Sequence, residues 1–127
     1  MKKVCVCVVL GLCVVAVSEP SASALPPFNK EWKAKYEDGN GNAKFVAAVE
    51  EAKCNVCHMG TSKKDRNEYG KAVSKFLTKA KYTEIKEDEV AAKKYILEGL
   101  QKAEAEKGKA GKSYGDLIKA GKLPGGA

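Results

Sequence analysis

The chain is poor in the residues that most metal sites and disulfide frameworks require. Its 127 residues include one His, two Met and five Cys. A single His excludes any metal site that takes two histidines from one chain, such as the HExxH type. An odd number of cysteines excludes a framework in which every cysteine is paired within the chain. Arginine is equally scarce, because Arg66 is the only one and lysines carry the formal net charge of +7.

The first 24 residues have the features of an export signal. Lys2 and Lys3 give a basic start, residues 4–17 are uncharged and mostly apolar, and residues 22–24 read Ala-Ser-Ala. Fourteen apolar residues are fewer than the about 20 that a membrane-spanning helix needs. The pattern therefore predicts a signal peptide over residues 1–24, cleaved after Ala24. We expect an exported protein, periplasmic or secreted; the alternative is an uncleaved membrane anchor.

Removal of this segment changes the composition. Two cysteines remain, Cys54 and Cys57, and the formal charge becomes +6. The remaining 103 residues contain only five Val, three Ile and six Leu, which is little for a domain of this size to bury. We expect one small domain with no stable membrane span after cleavage, and something besides aliphatic side chains in its core.

Residues 25–41 are predicted to form a lead-in segment with a short helix. Pro26 and Pro27 favour an extended start. Three aromatic residues then recur every four positions, as on one face of a helix: Phe28, Trp32 and Tyr36. The turn signal Asp-Gly-Asn-Gly follows at residues 38–41. Such an aromatic row fits either a lid over a cofactor or ordinary core packing.

Residues 42–127 are predicted to form an all-α domain, because their apolar residues recur with helical spacing and none alternate as in a strand. Gly99 lies on the apolar face of the longest helix and indicates close approach of a neighbouring helix. Together with the lead-in helix, the pattern predicts a small bundle of about four to five helices. The expected segments are a helix from Asn42 to Cys54, residues 69–80 with a start near Asp65, residues 83–107, and a short helix capped by Ser113.

Residues 54–58 read Cys-Asn-Val-Cys-His, the pattern for covalent attachment of a c-type haem. Two thiols three positions apart lie on one side of a helical turn, where Cys54 and Cys57 can bond two vinyl groups as thioethers. The adjacent imidazole of His58 can coordinate the iron from the proximal side. After signal cleavage the only cysteines and the only histidine lie in this motif, which favours one covalent haem c with its iron as the cofactor.

Three other uses of the motif are a structural disulfide, a redox-active thiol pair and a zinc site. A disulfide between Cys54 and Cys57 would close a very small loop and restrain little. A redox-active thiol pair suits an exported protein, but its usual fold needs strands that the sequence lacks. A zinc site takes four ligands, and the motif supplies three. A haem-free thiol–disulfide protein is therefore the least favoured hypothesis for the function of this motif.

The motif after an amphipathic helix, followed by further helical sequence, resembles a small exported mono-haem c-type cytochrome over residues 42–123. The run at residues 66–72, Arg-Asn-Glu-Tyr-Gly-Lys-Ala, resembles a segment that follows the motif in some exported cytochromes. The resemblance implies a cytochrome c-like bundle around the haem. It also implies thioethers at Cys54 and Cys57, His58 as the proximal ligand, and one-electron transfer rather than enzymatic catalysis.

The distal ligand departs from the family pattern. Met59 directly follows the proximal ligand and cannot reach the opposite haem face, and the sequence has no later Met and no second His. The sixth ligand is then a Lys, a Tyr, the mature N-terminal amine, a partner chain or water; Lys63, Lys64 and Tyr69 are nearby in sequence. Without Met ligation we expect a haem reduction potential lower than in His/Met cytochromes. The alternative is a five-coordinate haem that binds or senses CO, NO or peroxide, with weak peroxidase-type activity.

The surplus of lysines predicts the kind of partner. A basic surface can steer the protein towards acidic docking surfaces on redox partner proteins, although scattered lysines also suit an ordinary solvated surface. The lone Arg66 and the lack of a recognisable binding motif argue against a nucleic-acid partner.

Overall fold

The computed structural model describes residues 25–126, so the predicted signal segment lies outside the described residues. The chain is mostly helical there, as expected, with six α-helices rather than four to five. The elements are α1 Pro26–Tyr36, α2 Ala43–Ala52, a 3-10 helix Lys53–Val56, β1 His58–Met59, β2 Asp65–Arg66, α3 Glu68–Phe76, α4 Lys79–Ile85, α5 Glu89–Ala105 and α6 Tyr114–Lys119.

Helix α5 is the centre of the bundle, because it packs against α1, α3, α4 and α6. The aromatic row of α1 belongs to this core: Trp32 and Tyr36 are buried, and the partly buried Phe28 packs against the core cluster. The lead-in segment is therefore part of the same core as the helices that follow it. Other fully buried side chains come from three elements, α2, α3 and α5: Phe45, Tyr69, Ile96, Leu100 and Ala103.

The ends of the helices follow local side-chain chemistry. Asn42 and Ser113 cap α2 and α6, as predicted, by accepting hydrogen bonds from backbone N–H groups three residues later. Helix α3 is capped by Asn67, and the expectation of a start near Asp65 is wrong. Pro26 and Pro27 occupy the first turn of α1 instead of an extended lead, since proline needs no N–H partner there.

The helix predicted over residues 69–80 is interrupted. Leu77 has extended backbone angles and is buried, and Thr78 caps a new helix by accepting from the N–H of Lys81 at 3.3 Å. The next predicted helix also starts later than expected, at Glu89, because Asp88 caps it. A capping side chain satisfies an otherwise unpaired N–H, so each of these polar residues starts a helix within a continuous helical pattern.

The expectation of no strands is wrong for one short element. β1 and β2 pair antiparallel, with His58 opposite Arg66 and Met59 opposite Asp65. Two residues per strand are too few for the alternation by which a strand is recognised. In the part of the chain described here, no helix has both the length and the apolar character that crossing a membrane requires.

Gly99 permits the close approach that its position predicted. A Cβ built on Gly99 would lie 2.3 Å from Cδ2 and 2.6 Å from Cγ of Leu77. Because Leu77 is buried just after α3, its side chain has little room to move away. The missing side chain at Gly99 therefore sets how closely α5 packs against the end of α3.

We expect Gly99→Ala to lower the stability of the protein. Overpacking costs about 1–3 kcal/mol, which outweighs the gain in helix propensity of about 1 kcal/mol. The control is Gly41→Ala, because a Cβ at Gly41 meets no atom within 4 Å. Thermal unfolding followed by circular dichroism measures both. A Gly99→Ala protein as stable as wild type would contradict the packing argument, and Leu77→Ala in the same chain should abolish the penalty.

Candidate functional site

The motif begins directly after α2, where the backbone changes direction at Lys53. Lys53 ends α2 with φ of 51°, a positive value that residues other than glycine seldom adopt. The chain then forms a single 3-10 turn, closed by the N–H of Cys57 donating to the carbonyl of Cys54 at 3.2 Å. Residues three apart eclipse in a 3-10 turn, so Cys54 and Cys57 project from the same side.

The two cysteines are free thiols within the described part of the chain, and both are half-buried. Burial, and next the proximity of Cys54, raises the pKa of the Cys57 thiol to about 12. A reactive thiol of a disulfide-exchange protein has a lowered pKa, because the thiolate is the nucleophile. Burial therefore keeps Cys57 as a protonated thiol, so Cys57 itself does not supply that thiolate.

The imidazole of His58 is the buried polar group of the motif, and one of its two ring nitrogens lacks a partner in the described part of the chain. His58 is 4% exposed, and its Nδ1 atom has no hydrogen-bond partner among residues 25–126. Burial lowers the pKa of His58 from its usual value. The ring is therefore neutral near pH 7, which is the form in which histidine binds a metal.

One side chain connects this turn to α3. The side-chain amide of Asn67 donates to the carbonyls of Asn55 at 3.0 Å and Val56 at 2.9 Å. Its oxygen accepts from the N–H of Gly70 at 2.8 Å, and its backbone N–H donates to the carbonyl of Cys57 at 3.1 Å. Asn67 is therefore both the cap of α3 and the clamp that holds the cysteine turn in place.

Gly70 lets α3 approach the motif closely. A Cβ at Gly70 would lie 1.9 Å from the carbonyl oxygen of Cys57, a contact that the backbone cannot accommodate. Gly70 and Asn67 lie in the run that resembles a segment of known cytochromes, but that resemblance assigns them no role. The position of Asn67 before a helix is a readable capping signal, whereas its bonds to the cysteine turn depend on tertiary contact.

The three named candidates for a distal ligand lie in different environments. Lys63 and Lys64 are exposed in the connection between β1 and β2. Tyr69 is fully buried, and its hydroxyl oxygen accepts a hydrogen bond from Nε1 of Trp32 at 2.9 Å. Burial raises the pKa of Tyr69, so its phenolate form is disfavoured. Met59, beside His58, is 56% exposed.

The residues present fit the haem that the resemblance implies. Both thiols are free and project from one turn, and the neighbouring imidazole is neutral, with a buried nitrogen that no residue of the described chain satisfies. This donor set matches covalent haem attachment with histidine ligation. Among residues 25–126, no group of three or more His, Cys, Asp and Glu side chains could hold a metal ion by itself.

Comparison of the chain with protein-family models, curated proteins and solved structures finds no match in any of the three. The geometry of the site is therefore the basis for a functional proposal.

We expect Asn67→Asp to destabilise the full chain by about 1–3 kcal/mol, because a carboxylate oxygen would face two carbonyls that lose their donor. The control is Asn42→Asp, since Asn42 is an exposed helix cap that uses only its oxygen. Aspartate caps a helix as well as asparagine does, so the control should stay within about 0.5 kcal/mol of wild type. Urea unfolding measures both; equal stability of the two variants would refute the clamp.

Proposed function

We propose that this protein is a c-type cytochrome that carries one electron at a time. Cys54 and Cys57 would hold the haem covalently, and His58 would be its proximal axial ligand. The observation that carries the proposal is the arrangement of two free thiols on one turn beside a neutral, buried imidazole with an unsatisfied nitrogen. When bound, haem supplies the one-electron chemistry of its iron.

The chain's own residues hold and orient this donor set. Asn67 fixes the cysteine turn through two carbonyls, and Gly70 allows α3 to pack against Cys57. Groups held in place by a supporting hydrogen-bond network bind with little rearrangement. A site that moves little when charge changes suits electron transfer, and this supports the carrier function. The helical fold counts against the thiol–disulfide alternative, whose usual fold needs βαβ strands.

The second candidate is a five-coordinate haem protein that binds a small ligand such as CO, NO or peroxide. The observation that favours it is the environment of Tyr69, whose oxygen is already engaged by Trp32 and whose phenolate form is disfavoured by burial. An open distal position would also allow weak peroxidase-type activity. The two candidates share the same attachment residues and differ only on the distal side.

The basic surface supports an acidic redox protein as the partner. A cleft of about 550 Å³ has half-buried Leu117 and exposed Glu68 in its lining, with Oε1 of Glu68 3.9 Å from Nζ of Lys109. Three exposed lysines give the lining its net positive charge: Lys109, Lys112 and Lys122. The C-terminal end of this lining packs on the site, because a Cβ at Gly125 would lie 2.1 Å from the side-chain nitrogen of Asn67. Positive charge around an apolar floor complements an acidic patch and would steer the partner to the haem side.

Covalent attachment is the first test. With haem-attachment machinery present, we expect the full chain to gain the mass of one haem and to keep a haemochrome spectrum after denaturation. Cys54→Ser with Cys57→Ser should abolish both, whereas His58→Ala should keep the haem tethered and change the spectrum. Met59→Leu is the matched control and should leave the spectrum unchanged. A colourless protein with apo mass would end the cytochrome proposal.

Carbon monoxide separates the two candidates. A six-coordinate carrier has both axial positions filled, so the reduced protein should bind CO slowly or not at all. An open distal position should bind CO rapidly and completely. Optical spectra of the reduced protein before and after CO addition give the answer, and electron paramagnetic resonance of the oxidised protein reports the spin state. Rapid, complete CO binding would contradict the carrier and support the ligand-binding protein.

A further inference from the structure

A second cluster of chemically active side chains lies in the core beside the motif. The rings of Trp32 and Tyr36 on α1 have centroids 5.1 Å apart, and Nε1 of Trp32 donates to the hydroxyl oxygen of Tyr69 at 2.9 Å. Tyr69 in turn contacts Tyr114, with ring centroids 5.2 Å apart. Trp32, Tyr36 and Tyr69 are 5%, 7% and 0% exposed. These rings form a continuous aromatic chain that solvent hardly reaches.

At one end of the aromatic chain, a carboxylate base is in direct contact with a tyrosine hydroxyl. The hydroxyl of Tyr36, the last residue of α1, donates a hydrogen bond to Oε1 of Glu104 on α5. The same carboxylate oxygen lies 3.0 Å from Nζ of Lys35, and the Glu104 side chain is 25% exposed. The carboxylate of Glu104 is therefore partly hydrated, and it connects the buried phenol of Tyr36 to the protein surface.

The other end of the chain reaches the cysteine turn. Tyr69 stands between Asn67 and Gly70, the two residues that join α3 to the turn. Cys57 is half-buried and packs against the core cluster to which Tyr69 belongs. The aromatic chain therefore extends from the neighbourhood of Cys57 to the carboxylate of Glu104.

Paired tyrosine and carboxylate groups have a defined one-electron chemistry. A phenol that loses an electron becomes a strong acid, and in a medium of low dielectric constant the proton needs a base already in contact with it. Tyr36 starts as the neutral phenol, because burial raises its pKa. Its hydroxyl proton already points at Glu104, so the oxidised form has an acceptor that requires no rearrangement.

We propose that Tyr36 is a redox-active tyrosine with Glu104 as its proton acceptor, linked through Trp32 and Tyr69 to the neighbourhood of the cysteine turn. A high-potential one-electron oxidant, such as a ruthenium(III) polypyridyl complex, takes one electron from Tyr36. The O–H bond of Tyr36 breaks, and the proton forms a new O–H bond on Glu104. The products are a neutral tyrosyl radical, a neutral carboxylic acid and the reduced oxidant.

This activity goes beyond electron carriage by a haem and does not rest on it. The ring of Tyr36 holds the oxidising equivalent, rather than the thiols of the cysteine turn. A purely structural role for the Tyr36–Glu104 hydrogen bond would affect stability and leave the site of oxidation unchanged. The two roles are therefore separated by where the radical forms and how fast it forms.

The test is flash photo-oxidation of the full chain with a ruthenium(II) polypyridyl complex and a sacrificial cobalt(III) acceptor. Recovery of ruthenium(II) gives the rate of protein oxidation, and electron paramagnetic resonance of freeze-quenched samples identifies the radical. We expect a tyrosyl signal that Tyr36→Phe removes. Glu104→Gln keeps an acceptor oxygen but removes the base, so the rate should fall about 100-fold.

The matched control is Tyr95→Phe, because the hydroxyl of Tyr95 accepts a bond from the N–H of Thr78. This variant should retain both the radical signal and the rate. Persistence of the signal in Tyr36→Phe, or an unchanged rate in Glu104→Gln, would overturn the proposal. If Glu104→Gln fails to fold, oxidation of the wild-type protein in D₂O decides: a slower rate supports coupled proton transfer, and an equal rate refutes it.

Discussion

The side chain of Asn67 joins the cysteine turn to the start of α3, next to the β1–β2 pairing that links the same two segments through the backbone. A buried amide needs partners for both its oxygen and its nitrogen, and here the oxygen caps α3 while the nitrogen serves two carbonyls of the turn. The strength of such bonds increases in a water-poor interior. Asn67 therefore helps to fix the turn that carries both thiols, and Gly70 allows the close packing that it requires, whereas His58 is also held by its pairing with Arg66.

The rest of the bundle surrounds this joint with aromatic as well as aliphatic side chains. A chain with few Val, Ile and Leu residues has to bury other groups, and the rings of Trp32, Phe45 and Tyr69 occupy the interior. Each buried Trp or Tyr also brings a polar atom that needs a partner. The bond from Trp32 to Tyr69 and the bond from Tyr36 to Glu104 meet that need. The small number of Val, Ile and Leu residues therefore accounts for the buried rings and for the aromatic chain that they form.

Much of the helical architecture was readable from local patterns. The aromatic row of α1, the caps at Asn42 and Ser113 and the close approach at Gly99 were all predicted and are confirmed. The break before Thr78 and the late start after Asp88 were missed, because a capping residue inside a continuous apolar pattern does not change its period. The paired strands were missed because two residues are too short to alternate.

The sequence by itself determined the donor set of the candidate site. The spacing of Cys54, Cys57 and His58 is a local property, and one turn of backbone suffices to bring these groups together. Only the tertiary structure decided how the turn is held, because the bonds of Asn67 and the contact at Gly70 join segments that are separate along the chain. It also decided that Tyr36 meets Glu104, since 68 residues separate them and only the packing of α1 against α5 brings them into contact.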